Sequence, residues 1–290
     1  MSIALQLLIN GLLLGGAYAI ISIGLTMIFG VVRVVNFAHG ELLMVGLYAT
    51  WMLSSHLGLH PYLSALPVAL LLFAIGALIQ RFVIQRLLQA DAHIQIFATV
   101  GISTALMNLA LMIFGADVHP IDVSVGTEHL QFGGINVVSG QLVTFVTALV
   151  VAGGFHLFVH HTYAGRAFRA VSQHRYAASL MGVNVNNTYV LAFGLGSALV
   201  GIAACLLAVQ YPVFPTVGQY FVLTAFVIVV LGGLGSLAGA LVGSAIIGLI
   251  DSFAGYYISP DLKEVVYFAL FLLILMLRPT GLFGLGRGSE

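Results

Sequence analysis

The feature that most constrains this chain is a run of 75 consecutive residues, 176–250, without a single Asp, Glu, Lys or Arg. A soluble domain needs charged and polar side chains to cover its surface, so such a run cannot form one in water. A membrane-spanning helix requires about 20 mainly apolar residues, and the run is long enough for two or three of them. The chain is therefore predicted to be an integral membrane protein.

The composition of the whole chain supports this prediction. Charged residues make up 6% of the 290 residues and hydrophobic residues 61%, and the mean hydropathy is +1.12. Ordinary soluble domains contain about 25% charged residues. The apolar runs are continuous rather than alternating, which favours helices over the strands of a membrane β-barrel. We predict an all-α polytopic membrane protein in which one transmembrane domain covers residues 1–290.

Nine apolar segments are predicted to be membrane-spanning helices, of which 220–233 is shorter than the usual length of about 20 residues. The first lies in residues 1–32, which carry no charge and so lack the basic start of a cleavable signal peptide; it is predicted to be retained. The segments around Arg33 and Gly233 can also be broken or re-entrant helices, so we predict about 8–10 transmembrane helices. The predicted spans lie near residues 5–31, 37–56, 62–80, 94–115, 141–161, 189–210, 220–233, 237–257 and 262–280.

Charges in the loops predict the orientation, because Lys and Arg near membrane spans concentrate on the cytoplasmic side. The loop 116–140 carries Asp117, Asp122 and Glu128 but neither Lys nor Arg, so we predict that it is extracytoplasmic. The N-terminus is then predicted to lie outside, and the loop 162–188 in the cytoplasm. Arginines occur in the predicted cytoplasmic segments, namely Arg81 and Arg86 in 81–93, Arg166, Arg169 and Arg175 in 162–188, and Arg278 and Arg287 in the tail.

Each half of the chain contains an apolar hairpin that is interrupted by glycine. Paired short or broken hydrophobic segments in corresponding places are typical of the substrate path in transporters. We therefore predict that both interruptions lie on a translocation path. The residues concerned are Asn36, Phe37, His39, Gly40 and Glu41 in the first half, and Gly232, Gly233, Gly235 and Ser236 in the second.

The polar residues of the first interruption allow two interpretations. Asn36, His39 and Glu41 are costly in an apolar environment unless they are buried in protein or line water. Alternatively they lie at the cytoplasmic interface, with Asn36 as the N-cap of the next helix and His39 at its third position. Asp251, the other acidic residue within apolar sequence, either marks the outer end of its span or is an ionisable group inside the membrane.

Small residues recur every four positions in two segments of the chain. On a helix this spacing gives a smooth face that another backbone can approach closely, and pore lining is the alternative. We predict helix packing at Gly11 and Gly15 in the first span and at Gly235, Gly239 and Gly243 in the second segment.

The loop 162–188 contains a predicted surface helix from Arg166 to Gly182, where a glycine can adopt the left-handed conformation that ends helices. Ala177, Ala178 and Met181 are predicted to share one face at helical spacing. Small residues on an exposed helix have no core to fill. They are suited to a helix face that docks into a groove on a partner protein.

The signatures of common catalytic sites are absent from the sequence. There is no G-x-x-x-x-G-K-[ST] motif, and the only lysine is Lys263, so the chain cannot bind ATP in a P-loop. H-E-x-x-H and G-x-S-x-G are absent as well. The ten histidines lack zinc-site spacing with Cys205, the single cysteine, so no metal site is predicted. No basic run suggests nucleic acid.

Three motifs together resemble the branched-chain amino acid permease family of ABC importers, of the LivH type. They are Val35 to Glu41 (V-N-F-A-H-G-E), Ala177 to Gly182 (A-A-S-L-M-G) and Gly232 to Gly239 (G-G-L-G-S-L-A-G). The likeness covers nearly the whole chain, and the motifs occur in the family's order. The second motif resembles the E-A-A-x-x-x-G coupling loop of importer permeases, although Tyr176 replaces its usual Glu.

The resemblance implies a single permease domain in a bacterial inner membrane. It implies a second permease of the LivM type, two ATPase subunits that bind ATP and Mg²⁺, and a periplasmic substrate-binding protein. This chain would bind no cofactor and would not be an enzyme. The residues that it implies for coupling to the ATPase are Arg169, Arg175, Tyr176, Ala177, Ala178, Leu180, Met181 and Gly182.

The substrate and two other functional classes stay open at this point. Members of the resembled family handle branched-chain amino acids, urea, short amides and other amino acids. A self-sufficient channel or secondary transporter would need a coupling acid within the membrane, for which Glu41 and Asp251 are available. An intramembrane enzyme lacks support, because no nucleophile and base are paired in the sequence.

Overall fold

The computed structural model describes residues 3–121, 126–132, 135–260, 262–278 and 280–283. The described chain is helical apart from one β-hairpin. The helices are α1 (Ile3–Val32), α2 (His39–Leu57), α3 (Ala65–Ile79), α4 (Gln85–Leu87), α5 (Ala92–Phe114), α6 (Ser139–His161), α7 (Tyr163–Gln173), α8 (Arg175–Leu180), α9 (Val185–Leu207), α10 (Val217–Gly232), α11 (Leu237–Tyr257) and α12 (Lys263–Leu277), and a π-helical turn (Gln80–Ile84) joins α3 to α4.

The predicted all-α membrane fold is confirmed. Each of the nine predicted spans coincides with an apolar helix of the described chain, with α3, the π-helical turn and α4 forming one of them. Helices α10 and α12 have 16 and 15 residues, which at about 1.5 Å per residue is short for a bilayer core of about 30 Å. Six described segments are long and apolar enough to cross a membrane: Ile3–Val32, Ala65–Leu87, Ala92–Phe114, Ser139–His161, Val185–Leu207 and Leu237–Tyr257.

Helix α1 forms the centre of the bundle, and it packs against α6, α9, α10 and α11. Its glycines bring neighbouring backbones into direct contact. A Cβ atom added at Gly11 would lie 2.8 Å from the Cα of Leu249, and one at Gly15 would lie 2.9 Å from the Ser244 carbonyl oxygen. At these distances no larger side chain fits without moving α11 away.

The second glycine repeat is only partly helical. Gly239 packs against Gly232, and Gly243 packs against the Ile228 carbonyl, so both lie between α10 and α11. Gly235 precedes α11, which begins at Leu237, and its φ of 84° places it in a turn. The prediction that Gly235 shares a helix face with the other two is therefore wrong. Its close neighbour is Gly30, near the end of α1.

The segments that carry arginine lie at one end of the bundle. The Arg33 guanidinium donates a 2.6 Å hydrogen bond to the Ser172 carbonyl, which ties the end of α1 to α7. The chain after α12 returns to the end of α10, where the Leu282 amide donates to the Leu231 carbonyl at 2.8 Å. The segments predicted to be cytoplasmic therefore share one end, which we call the arginine end. Arg287 lies outside the described residues.

The described residues of the loop 116–140 lie at the opposite end, about 35 Å away along the 23 residues of α5. His119 pairs with Val213 in an antiparallel bridge. Strands β1 (His129–Phe132) and β2 (Ile135–Val138) form a hairpin that the sequence analysis did not predict. The Gln6 side chain fixes this hairpin to α1 through hydrogen bonds of 2.6 and 3.0 Å to the Asn136 backbone. Asp122 lies outside the described residues. Which end faces the cytoplasm stays a prediction.

Replacing Gly15 by Leu is expected to lower stability, because the new side chain would collide with the α11 backbone. Overpacking of this kind costs about 1–3 kcal/mol, or several degrees in the melting temperature of the purified protein. The matched control is Gly153→Leu in α6, since a Cβ atom at Gly153 meets no atom within 4 Å. Equal melting temperatures for the two variants would contradict the close packing of α1 on α11.

Candidate functional site

The first interruption turns the chain back into the bundle. Helix α1 ends at Val32, and the next residue, Arg33, has a φ of 60° and is the only non-glycine residue with positive φ in the described chain. Residues 33–38 are non-helical, and α2 then begins with His39. His39 Nε2 lies 3.0 Å from the Ile21 carbonyl oxygen, eleven residues before the end of α1 at Val32. At about 1.5 Å per residue, α2 starts about 16 Å inside the bundle.

The polar residues of this segment are buried in the protein. Asn36 and His39 are fully buried, and Glu41 is 2% exposed. The Asn36 side-chain oxygen accepts a 3.2 Å hydrogen bond from the Ala38 amide, so it closes the turn before α2. The N-cap position is occupied by Ala38, and His39 is the first helical residue. The alternative that Asn36 caps a helix at the membrane interface, with His39 at its third position, is therefore wrong.

Several polar atoms around this point have no hydrogen-bond partner in the described structure. They include Asn36 Nδ2, His39 Nδ1 and Glu41 Oε2, together with Ser22 Oγ and Thr26 Oγ1 on the adjacent part of α1. Each such buried atom costs about 1–3 kcal/mol. A polar ligand that reached them would recover that cost. We call these five residues the polar cluster.

Helices α5 and α10 pack against the segment that carries Asn36, His39 and Glu41. The Phe37 and Phe226 rings lie 5.0 Å apart between the segment and α10. Thr99 of α5 donates a 3.1 Å hydrogen bond to the Val35 carbonyl, and so satisfies part of the non-helical backbone. Gly40 packs directly against Gly218, so the first turns of α2 and α10 are in backbone contact. The arrangement combines polar groups with an apolar surface inside a membrane bundle.

The second interruption is a tight turn at the arginine end. Gly232 and Gly233 end α10 and Ser236 caps α11, where its Oγ accepts a 3.1 Å hydrogen bond from the Gly239 amide. Gly235 lies against Gly30, whereas His39 lies against Ile21 and Gly24. The structure thus places the two interruptions at different depths along α1. The location of both on one path stays a prediction.

The predicted surface helix is two helices that meet at His174. Its imidazole Nδ1 accepts a 3.2 Å hydrogen bond from the Ala177 amide, so His174 caps α8 and separates it from α7. Gly182 has a φ of 83° just after α8, as expected for a helix stop. Arg169, on α7, donates to the Val159 carbonyl of α6 and is turned toward the bundle.

The exposed face of α8 differs from the predicted one. Ala178 is 5% exposed and packs beneath the helix, so it does not share an outer face with Ala177 and Met181. The outer face consists of Tyr176, Ala177, Leu180 and Met181, with Leu180 and Met181 70% and 84% exposed. Large apolar side chains projecting from a short helix are typical of a surface that another protein covers.

Asp251 belongs to a buried ion pair. Its carboxylate lies 2.8 Å from Lys263 Nζ and accepts a 2.6 Å hydrogen bond from the Tyr18 hydroxyl. It is 5% exposed and lies six residues before α11 ends at Tyr257, so Asp251 is a buried ionisable group near the end of its helix. Whether the membrane span ends there stays a prediction. Burial and the nearby Asp251 charge raise the pKa of Tyr211, in the segment between α9 and α10. This pair joins α1, α11 and α12.

Replacing Lys263 by Gln should destabilise the protein by about 1–3 kcal/mol, because the Asp251 carboxylate is left buried without its counter-charge. The 31% exposure of Lys263 keeps the effect below that of a fully buried pair. The double variant Asp251→Asn with Lys263→Gln is expected to recover part of the loss. Melting temperatures of the single and double variants measure this, with Glu264→Gln as the neighbouring control. A double variant less stable than Lys263→Gln would refute the pairing.

These features define a class of protein. A bundle of apolar helices that encloses a non-helical, polar segment in its interior is typical of membrane transport proteins. Within the described residues, no group of three or more His, Cys, Asp or Glu side chains could hold a metal ion. The chain is a multi-pass membrane protein of the transporter class.

Comparison with known proteins identifies the family. A family model described as "Branched-chain amino acid transport system / permease component" matches residues 7–275, so the chain belongs to this family. The resemblance seen in the three motifs is confirmed. As a permease component, the chain functions with other components of a transport system. No solved structure matches the chain.

Curated relatives match over nearly their whole length. BraD of Pseudomonas aeruginosa, a high-affinity branched-chain amino acid transport system permease protein, is 33% identical over 293 residues, which cover 97% of this chain and 95% of the relative. LivH of Escherichia coli K12, named in the same way, is 31% identical over 296 residues with the same coverage. A probable LivH of Methanocaldococcus jannaschii is 30% identical over 281 residues, or 91% and 88% of the two chains.

Proposed function

We propose that this chain is the permease subunit of an ATP-driven importer for branched-chain amino acids in a bacterial inner membrane. The observation that carries the proposal is the full-length similarity to BraD and LivH, which are named for this transport. The partners proposed are a second permease of the LivM type, two ATPase subunits and a periplasmic substrate-binding protein. ATP and Mg²⁺ bind to the ATPase subunits, because this sequence has no P-loop.

The polar cluster is proposed to lie on the translocation path. A branched-chain amino acid has an apolar side chain and a charged ammonium and carboxylate, so its path needs apolar walls and a few polar groups. Asn36, His39 and Glu41 supply polar atoms, and Phe37 with Phe226 supplies an apolar wall. The buried state of these groups corresponds to a closed path, which opens when the bundle rearranges.

The outer face of α8 is proposed to contact an ATPase subunit. Leu180 and Met181 are exposed at the arginine end, where a cytoplasmic partner would dock. Binding and hydrolysis of ATP would move α8 together with α7. The hydrogen bond from Arg33 to Ser172 connects α7 to the end of α1, where the non-helical residues 33–38 begin. The two permeases would thus alternate between outward-open and inward-open forms.

The proposed path is tested by replacing Thr26 with Val, which has nearly the same shape. Because Thr26 Oγ1 is buried without a partner, its removal should leave stability unchanged or raise it by about 1 kcal/mol. Uptake by the reconstituted importer should nevertheless fall about threefold to tenfold, since a substrate contact is lost. Thr104→Val is the control, because Thr104 is exposed on α5. Unchanged uptake by Thr26→Val at wild-type stability would exclude Thr26 from the path.

The substrate class is tested by uptake into vesicles that contain the full transporter. Leucine, isoleucine and valine are expected to accumulate with ATP and not without it, and urea and acetamide are not. The non-hydrolysing ATPase variant serves as the control for leakage. Transport of urea or amides in preference to leucine would reject the proposed substrate. Accumulation without any ATPase subunit would instead indicate a self-sufficient channel or secondary transporter.

A further inference from the structure

Two adjoining cavities flank α8 at the arginine end. The first has a volume of about 410 Å³ and lies between the end of α1, the start of α5 and the α7–α8 junction. The second has a volume of about 510 Å³ and lies between α4 and the start of α9. Arg175 and Tyr176 line both cavities, so we treat them as one basic cleft. Volumes in the range of about 300–1,000 Å³ are typical of sites that hold ligands.

The basic cleft carries positive charge that the described chain does not neutralise. Arg33 and Arg175 line the first cavity, and Arg86 and Arg175 line the second. The one ion pair within the described residues joins Lys263 to Asp251, far from this end. Asp91 is the only acidic residue described in the loops at the arginine end, and it lines neither cavity.

Two of the three arginines are free to bind a partner. Arg33 is held by the Ser172 carbonyl, but Arg86 and Arg175 are exposed and make no hydrogen bond or ion pair in the described structure. A guanidinium presents several donors in a fixed plane that matches a carboxylate. Between the two arginines stands Tyr176, at the position where the resembled coupling motif has Glu. This chain therefore lacks the negative charge of that motif, and the preceding residue, Arg175, is positively charged.

We propose that the basic cleft receives acidic side chains of the ATPase subunit. The inference rests on the proposed function, because it requires that an ATPase docks on α8. The cleft opens beside the exposed Tyr176, Leu180 and Met181 of that helix, so a protein that covers these apolar side chains also covers the cleft. Carboxylates at the partner's surface would neutralise Arg86 and Arg175. The partner groove is thus apolar at its centre and acidic at its rim.

A lipid headgroup is the competing occupant, since arginines near a cytoplasmic leaflet attract anionic lipids. The geometry favours the protein partner. The cavities border α8, whose apolar side chains project outward, and both are lined by the residues on either side of it. Apolar side chains at the centre of a surface with basic side chains around them match the apolar core and polar rim of a protein–protein interface.

The test measures binding of the purified ATPase to the permease pair in nanodiscs of zwitterionic lipid. The double variant Arg86→Glu with Arg175→Glu is expected to weaken binding at least tenfold, and Arg175→Lys only slightly. The wild-type dissociation constant should also rise between low and high NaCl. Arg166→Glu is the matched control, because Arg166 is exposed on α7 and lines neither cavity. Size-exclusion profiles verify that each variant is folded.

The Leu180→Asp variant separates the two proposals. If it abolishes binding while the double arginine variant binds like the wild type, α8 docks on the ATPase and the basic cleft inference is wrong. If the wild type itself does not bind the ATPase, the proposed function fails first. If charge reversal matters only in nanodiscs with anionic lipid, the cleft is a lipid site and the inference is overturned. Restored binding of Arg175→Glu by an ATPase with an acidic residue changed to Lys would support it.

Discussion

The rest of the structure depends on the backbone contact between α1 and its neighbours. Gly11 and Gly15 allow α11 to approach α1, and Gly24 allows α9 to approach through Gly196. Helix α1 is therefore surrounded by protein over most of its length. A non-helical segment such as 33–38 is tolerated at membrane depth only inside such a shell, because lipid offers its amide and carbonyl groups no hydrogen bonds. The glycines thus make the broken α1–α2 connection possible.

Inside this shell of helices, the polar atoms of the polar cluster are only partly hydrogen-bonded. His39 donates one hydrogen bond to the Ile21 carbonyl of α1, and Thr99 donates one to the Val35 carbonyl, but other polar atoms stay unpaired. Complete pairing would hold the segment in one conformation, whereas a wholly apolar lining would give no affinity for a zwitterion. The direct contact of Gly40 with Gly218 links α2 to α10, so these two helices are expected to move together.

The sequence predicted the spans and the family but not the contacts between distant residues. Long apolar runs identify membrane helices whatever their neighbours are. Each of the nine predicted spans therefore coincides with a helix of the described structure, and six helical segments are long and apolar enough to cross a membrane. The inward position of Ala178 depends on tertiary packing, and the helix break at His174 depends on one side-chain cap. The periodicity of the sequence predicts neither. The pair of Asp251 with Lys263 joins different helices, and only the isolation of Lys263 as the single lysine could have drawn attention to it.

The distribution of charge divides the molecule into two functional ends. At the end that contains the hairpin, the buried ion pair of Asp251 and Lys263 holds α11 and α12 together, and the two charges neutralise each other. At the arginine end, Arg86 and Arg175 have no ion pair within the described residues. A short series of contacts connects this end to the interior. Helix α8 contacts α7, and Ser172 of α7 is hydrogen-bonded to Arg33, at the start of the non-helical residues 33–38. Residues 34–38 follow Arg33 directly, so a backbone rotation at Arg33 would move them and with them Asn36 of the polar cluster. The end that lacks internal charge pairing is therefore the one that is mechanically connected to the proposed path.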